Sequence, residues 1–157
     1  MPAITALLHT ENDALRLGRA LETLYPCDDI LIVDHGSRDG TVRLAREYGA
    51  RVVDARTGSS PERYLATSSP AWILCLDPHE SLTESLAATL YEWKSQAPAA
   101  CAFSVFLREE TAEGWIEIPT AQTRLISADW TRWEGRLPVT NRFALALQGE
   151  LLRFAFP

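Results

Sequence analysis

Cysteine is scarce in this sequence, and its scarcity excludes two kinds of site. The 157 residues contain three cysteines, Cys27, Cys75 and Cys101, and no CxxC pair. Their odd number and wide spacing argue against a disulfide framework and against a thiolate zinc site. A chain without disulfides fits a reducing compartment, so we expect a cytoplasmic protein.

Basic residues and long apolar runs are also lacking. The 15 Lys and Arg residues against 21 Asp and Glu give a net charge of −6, whereas nucleic-acid-binding surfaces need clustered Lys and Arg. We therefore expect no nucleic-acid partner. No run approaches the ~18 apolar residues of a membrane span, and Met1 and Pro2 are not followed by a basic leader. We expect no transmembrane segment, and attachment to the inner face of a membrane stays open.

Short apolar runs alternate with helical patterns over the first hundred residues. The strands are predicted at Ile4 to Leu8, Ile30 to Val33, Arg51 to Val53 and Trp72 to Leu76. The helices are predicted after a cap at Asn12 or Asp13, after Asp39, from Pro61, and from about Leu82 to Lys94 with Thr83 as cap. This alternation predicts an α/β fold whose mostly parallel sheet has helices on both faces.

The remainder of the chain predicts short strands instead. The pieces are AFSVFL, WIEI, TRLIS, FALAL and LLRFAF, with turn signals at Glu113-Gly114 and Gln148-Gly149. We expect one domain over residues 1–157, with an α/β half at 1–100 and a smaller β-rich half at 101–157. Trp130 and Trp133 in that half are equally compatible with core packing and with stacking on a sugar ring.

Acidic residues follow two of the predicted strands. Asp34 begins the loop DHGSRDGT, and Asp77, His79 and Glu80 end the stretch CLDPHESL. Open α/β sheets bind their ligands beyond the carboxyl ends of their strands. Asp34 and Asp39 are therefore either ligand-binding residues or simple turn and cap residues.

The same segments resemble the family 2 glycosyltransferases of the GT-A fold. The resemblance is carried by ALLHTEND, by DILIVDHGSRDGTVRLAREYGARVV and by WILCLDPHESL. Further similarity lies in ERYLA, in QTRLIS and in GRLPVTNRFALALQGELLRF, the last resembling a segment of the bacterial branch that builds lipopolysaccharide core and similar glycans. The resemblance covers nearly the whole chain and implies a Rossmann-like GT-A fold.

The resemblance also implies a reaction and a set of site residues. It implies transfer of a sugar, with inversion, from a nucleotide-diphosphate sugar to a glycan or other small acceptor. The residues implied in donor binding are Thr10, Asn12, Asp34 and Asp77, with Arg63 and Arg124 facing the diphosphate. A divalent cation, Mn²⁺ or Mg²⁺, on Asp77 and His79 would neutralise the leaving group.

Three departures from the family pattern leave alternatives open. His79 replaces the second acid of the DxD motif, and it is either a cation ligand, which would favour Mn²⁺, or a surface loop residue. Tyr64 and Leu137-Pro138 replace an Asn and a His-Glu pair. An inverting transfer needs a base for the acceptor proton, and Glu134 and Glu80 are the candidates.

Two other functions compete with the enzyme. The first is a catalytically silent nucleotide-sugar-binding or scaffold domain. The second, a sugar-1-phosphate nucleotidyltransferase, is disfavoured because no glycine-rich loop with a following Arg and Lys comes after the first strand. Because the chain stops at LLRFAFP, we expect either a small acceptor or an acceptor surface supplied by a partner subunit or a second copy.

Overall fold

Eleven strands and three helices form the described part of the chain, residues 2–55 and 71–157 of a computed structural model. The strands are β1 Ile4–Thr10, β2 Asp29–Asp34, β3 Arg51–Asp54, β4 Trp72–Leu76, β5 Glu80–Leu82, β6 Ala102–Thr111, β7 Gly114–Glu117, β8 Gln122–Ser127, β9 Trp133–Glu134, β10 Leu137–Pro138 and β11 Leu145–Arg153. The helices are α1 Ala14–Glu22, α2 Thr41–Glu47 and α3 Glu84–Lys94.

One mostly parallel sheet contains nine of these strands. Its order is β3-β2-β1-β4-β8-β6-β11-β5, and β7 pairs with β6 beside this path. Strands β1, β2, β3 and β4 are parallel to one another, whereas β8 runs antiparallel to both β4 and β6. The predicted fold class is confirmed. The β-rich half extends the same sheet, because β8 pairs directly with β4.

The central strand shows why short apolar runs mark this sheet. All seven residues of β1 are buried, since β2 and β4 flank it and both of its faces are covered. Helix α3 begins at Glu84 rather than at about Leu82, which belongs to β5. Thr83 caps it as predicted, because its side chain accepts a hydrogen bond of 3.2 Å from the Leu86 amide. Within the described ranges, no helix combines the length and apolar character that crossing a membrane requires.

Two apolar clusters lie on opposite faces of the sheet. Leu8 belongs to one and Leu7 to the other, as expected for neighbours on a strand. Leu17 of α1, Ala45 of α2 and Leu90 of α3 all pack in the cluster that contains Leu8. The described helices thus cover one face. The helix predicted from Pro61 lies outside the described residues, so helices on both faces stay a prediction.

The last strand corrects one prediction. FALAL and LLRFAF do not form two separate strands. Strand β11 begins at Leu145, within the first segment, and continues without a break to Arg153, within the second. The turn expected at Gln148-Gly149 is instead an irregularity within β11, where the pairing with β6 shifts between Ala146 and Glu150. The other turn, at Glu113-Gly114, is confirmed by the β6–β7 hairpin.

Candidate functional site

Thr10, Asp34 and Asp77 lie at or just beyond the carboxyl ends of β1, β2 and β4. Because these strands are parallel neighbours, their ends meet at one edge of the sheet. In this class of sheet that edge is the usual place for a ligand. The structure therefore places predicted residues of three separate motifs at one edge of the sheet.

Asp34 is held as a buried carboxylate. It accepts hydrogen bonds from Thr10 Oγ1 at 2.8 Å, from Ser37 Oγ at 2.6 Å and from the Ser37 amide at 2.9 Å. Burial by itself would raise the pKa of Asp34, but the hydrogen bonds from Ser37 and Thr10 outweigh it and hold the pKa below its usual range. A fixed negative charge therefore lies at the edge of the sheet.

The loops after β1 and β2 are joined by Asn12. Its amide donates to Ser37 Oγ at 2.9 Å, and its side-chain oxygen accepts from the Arg38 amide at 2.8 Å. Asn12 also has a left-handed backbone, with φ of 54°, which Asn tolerates better than most residues. Thr10 is fully buried, and its hydroxyl donates a hydrogen bond to Asp34. Thr10 and Asn12, both predicted to contact the nucleoside, therefore also connect the loops after β1 and β2.

The predicted helix caps differ in detail. Asp13 makes no side-chain cap for α1, and α2 begins after Gly40 rather than directly after Asp39. Asp39 still supports α2 by accepting from the Thr41 amide at 3.0 Å, and it reaches the Ala14 amide at 3.2 Å. The structural interpretation of Asp39 is therefore the one that its contacts favour.

Asp77 and His79 form a closed hydrogen-bonded pair. The backbone amide of His79 donates to Asp77 Oδ1 at 2.9 Å, and Nδ1 of its ring lies 2.5 Å from the same oxygen. Nε2, the other ring nitrogen, contacts Nη1 of Arg16. Burial opposes ionisation of Asp77, yet the hydrogen bonds from His79 and the charge of Arg153 lower its pKa overall.

This arrangement does not fit His79 as a ligand of the divalent cation predicted for Asp77 and His79. A cation ligand must offer a free lone pair, and the neutral imidazole has only one. With the Nδ1 proton directed at Asp77, that lone pair is on Nε2 and faces Arg16. In residues 2–55 and 71–157, no group of three or more His, Cys, Asp or Glu side chains could hold a metal ion.

Glu80 and Arg124 correct two further predictions. Glu80 is fully buried, and Arg124 is 2% exposed at its side chain. Arg124 contacts Glu80 through both nitrogens, at 2.6 and 2.9 Å, and it also donates to the Cys75 carbonyl and to Gln122 Oε1. A base must reach the acceptor, and a diphosphate ligand needs a free guanidinium. Neither residue meets its requirement, so this ion pair is structural.

The remaining predicted residues differ in their exposure and contacts. Glu134 is exposed on β9, and Arg63 and Tyr64 lie outside the described residues. Trp130 is buried with Nε1 donating to the Arg132 carbonyl at 2.8 Å, so packing is its role. Trp133 packs against the same apolar cluster.

Sequence reasoning assigned no site role to three arginines that lie near these strand ends. Arg16 comes from the first turns of α1, Arg153 from the end of β11, and Arg136 from the β9–β10 hairpin. Arg153 Nη1 lies 3.9 Å from Asp77 Oδ1 and 3.4 Å from Glu80 Oε2. The arginine in GELLRF was visible in the sequence, but only the pairing of β11 with β5 brings it to Asp77.

Two histidines also meet at this edge. His9 Nδ1 and His35 Nε2 are 2.8 Å apart. The pKa of His9 is lowered to about 4, first by burial and then by the charges of His35 and Arg136. The pKa of His35 is lowered by burial and Arg136. Both rings are therefore neutral at pH 7.

Comparisons of sequence connect the chain with glycosyltransferases. It is 34% identical over 90 residues to an uncharacterized glycosyltransferase of Rickettsia felis, which covers 55% of this chain and 32% of that protein. It is 31% identical over 121 residues to a TPR repeat-containing protein of Synechococcus elongatus, covering 74% of this chain and 30% of that protein. The chain thus spans about a third of these relatives. No family model matches it.

Solved structures agree on the architecture. S. aureus TarS, residues 1–349, matches with a TM-score of 0.56 and 16% identity over 75% of this chain and 38% of that one. Mannosyl-3-phosphoglycerate synthase from Rubrobacter xylanophilus matches with a TM-score of 0.51 and 20% identity, over 69% of this chain and 39% of that one. The chain therefore has the GT-A fold of glycosyltransferases.

Proposed function

We propose that this chain carries the donor site of a glycosyltransferase that moves a sugar from a nucleotide-diphosphate sugar to a glycan or other small acceptor. The observation that carries the proposal is the Asp34 carboxylate, buried and held by Thr10 and Ser37 at the carboxyl end of β2. Its place in a GT-A fold and the similarity to a Rickettsia felis glycosyltransferase support the proposal.

The proposed donor lies across the strand ends. Asp34, kept ionised, accepts a hydrogen bond from the nucleoside, and Asn12 fixes the loop beside it. The diphosphate then extends towards Asp77. The acceptor hydroxyl attacks the anomeric carbon as the bond to the diphosphate oxygen breaks, which inverts that carbon. Charge that develops on the leaving oxygen must be neutralised in place.

The acceptor proton needs a base, and Glu134 is the candidate that stays open. It is exposed on β9. Arg136 lies in the turn between β9 and β10, and its charge lowers the pKa of His9 and of His35 at the strand ends. We therefore propose Glu134, rather than the buried Glu80, as the group that takes the acceptor proton.

The proposal is tested with a panel of UDP-, GDP-, CDP-, ADP- and dTDP-sugars. Release of nucleoside diphosphate is measured with and without Mn²⁺, for the wild type, for Asp34→Asn and for Asp129→Asn. Asp129 is the matched control, because it is an exposed carboxylate that follows β8, which runs antiparallel to β4 and so ends at the opposite edge of the sheet. We expect Asp34→Asn to weaken donor binding by about tenfold or more, since a charged acceptor is lost. Failure of every donor to bind or react would refute the proposal.

A catalytically silent donor-binding domain is the alternative. The burial of Glu80 favours it, because one of the two predicted bases cannot act. A silent domain would bind a nucleotide sugar through Asp34 without releasing nucleoside diphosphate, and Glu134→Gln would change nothing. For the enzyme, we expect Glu134→Gln to lower kcat by about 10²-fold or more while KM for the donor is kept.

A further inference from the structure

We infer that the site binds the diphosphate of its ligand through the guanidinium groups of Arg16 and Arg153, and not through a divalent cation on Asp77 and His79. The inference rests on the proposed function, since it names the groups that would meet the donor's phosphates. It is carried by the contacts that surround Asp77.

Three separate parts of the fold converge on Asp77. The turn between β4 and β5 supplies Asp77 and His79, helix α1 supplies Arg16, and β11 supplies Arg153. Arg16 is tied to Asp77 through the His79 ring, and Arg153 Nη1 lies 3.9 Å from the carboxylate. Both guanidinium groups therefore lie beside the same carboxylate, and Glu80 Oε2 also holds Arg153, by accepting a hydrogen bond of 3.4 Å from its Nη1.

The charges at this point fit an anion. Glu80 and Arg124 neutralise each other in the interior. Outside that pair, the guanidinium groups of Arg16 and Arg153 lie around a single carboxylate, Asp77, so the arginines outnumber it by one (2 − 1). A divalent cation on Asp77 would add like charge beside Arg153, whereas a diphosphate would complete the neutralisation.

The two arginines also have the exposure that a ligand requires. The Arg153 side chain is 37% exposed, against 2% for Arg124. Arg16 is half-buried on the first turns of α1. Arginine presents a planar fork of donors that matches two phosphate oxygens at once. In this arrangement His79 is a positioning residue, which holds Arg16 next to Asp77.

The test is calorimetric titration with UDP, GDP and inorganic pyrophosphate, each in EDTA and in excess Mn²⁺. The variants are Arg16→Gln, Arg153→Gln and His79→Ala. Arg43→Gln is the matched control, because it removes the same charge from an exposed position on α2, where Arg43 pairs with Glu47 one turn along the helix. Arg16→Lys and Arg153→Lys keep the charge, and thermal unfolding followed by circular dichroism reports whether each variant folds.

We expect binding in EDTA to equal binding in Mn²⁺. We expect Arg16→Gln and Arg153→Gln to weaken it by about tenfold or more each, with partial recovery in the Lys variants and no change in Arg43→Gln. Binding that requires Mn²⁺, disappears in His79→Ala and ignores both arginines would overturn the inference and leave the proposed function standing. No binding of any diphosphate under either condition would overturn both.

Discussion

At the scale of single residues, the neutral histidine pair makes stability depend on pH. His9 is 7% exposed and has a pKa of about 4 in the folded chain, whereas an unfolded chain has the ordinary value of 6.5. The unfolded state therefore binds a proton first as the pH falls. The stabilisation is complete above pH 6.5 and is lost progressively as the pH drops towards 4. His35 and Arg136 face His9 and add to this effect.

His9→Gln should remove this dependence. Between pH 7 and pH 4 the wild type should lose about 3 kcal/mol of unfolding free energy through His9, and His9→Gln should be spared that loss. Urea unfolding at several pH values measures it. Carboxylates titrate in both proteins, so the quantity compared is the difference between the two. Parallel pH profiles would show that His9 accepts a proton in the folded chain as readily as in the unfolded one.

At the scale of elements, local signals predicted what local contacts decide. Trp72 to Leu76 is a strand with the predicted bounds, and Thr83 caps α3 as predicted, because an apolar run and a cap need no information from far along the chain. The same kind of local signal predicts a turn at Gly149, and that prediction is wrong. The structure uses Gly149 inside β11, where the backbone of α3 packs closely against it.

In the candidate site, too, the sequence predicted the residues that a local signal marks and not those that only the fold brings together. Asp34 and Asp77 were predicted because each ends an apolar run, and the sheet topology then places both at one edge, on the two strands that flank β1. Arg16 and Arg153 were not, since nothing in their own segments marks them and they meet Asp77 only after folding. The burial of Glu80 was equally hidden, because its partner Arg124 lies 44 residues away.

Gly149→Ala should be strongly destabilising. Its φ is +92°, and an added Cβ would lie 2.4 Å from the Leu86 amide nitrogen, a backbone atom that cannot move aside cheaply. Gly135 is the matched control, with φ of +62° and nothing within 4 Å. We expect about 1 kcal/mol for Gly135→Ala, from backbone strain alone, and about 3 kcal/mol or more for Gly149→Ala. Equal losses in urea unfolding would mean that α3 shifts freely.

The ion pair of Glu80 and Arg124 should behave as one structural unit between β5 and β8. Removing one partner leaves an unpaired charge in the interior, so Glu80→Ala or Arg124→Ala should each lower the free energy of unfolding by about 3–5 kcal/mol. Glu80→Ala combined with Arg124→Ala should cost less than the sum of the two single changes. Chemical unfolding of the four proteins measures the coupling. Additive losses, or a Glu80→Ala variant with full stability but no transfer, would return Glu80 to the role of base.

At the scale of the whole molecule, one sheet and one apolar cluster join the two halves. Strand β8 pairs with β4, and β6 then pairs with β8. The ring of Trp72, from the first half, lies 5.9 Å from that of Phe103, from the second. Leu74 and Leu125 share the cluster that also holds the helices. A boundary near residue 100 would therefore cut through the sheet and its core.

Unfolding should accordingly be a single cooperative transition, as one domain over residues 1–157 requires. The calorimetric enthalpy should equal the van't Hoff enthalpy, and far-ultraviolet circular dichroism should follow the same curve as tryptophan fluorescence. Leu125→Ala, at a fully buried position of β8, should cost about 2–5 kcal/mol and lower the midpoint without splitting the transition. If that variant instead showed two transitions, the first half would keep its sheet when β8 is weakened. The strand ends that hold Asp34 would then be stable without the segment that supplies Arg153, and donor binding could be dissected in the first half alone.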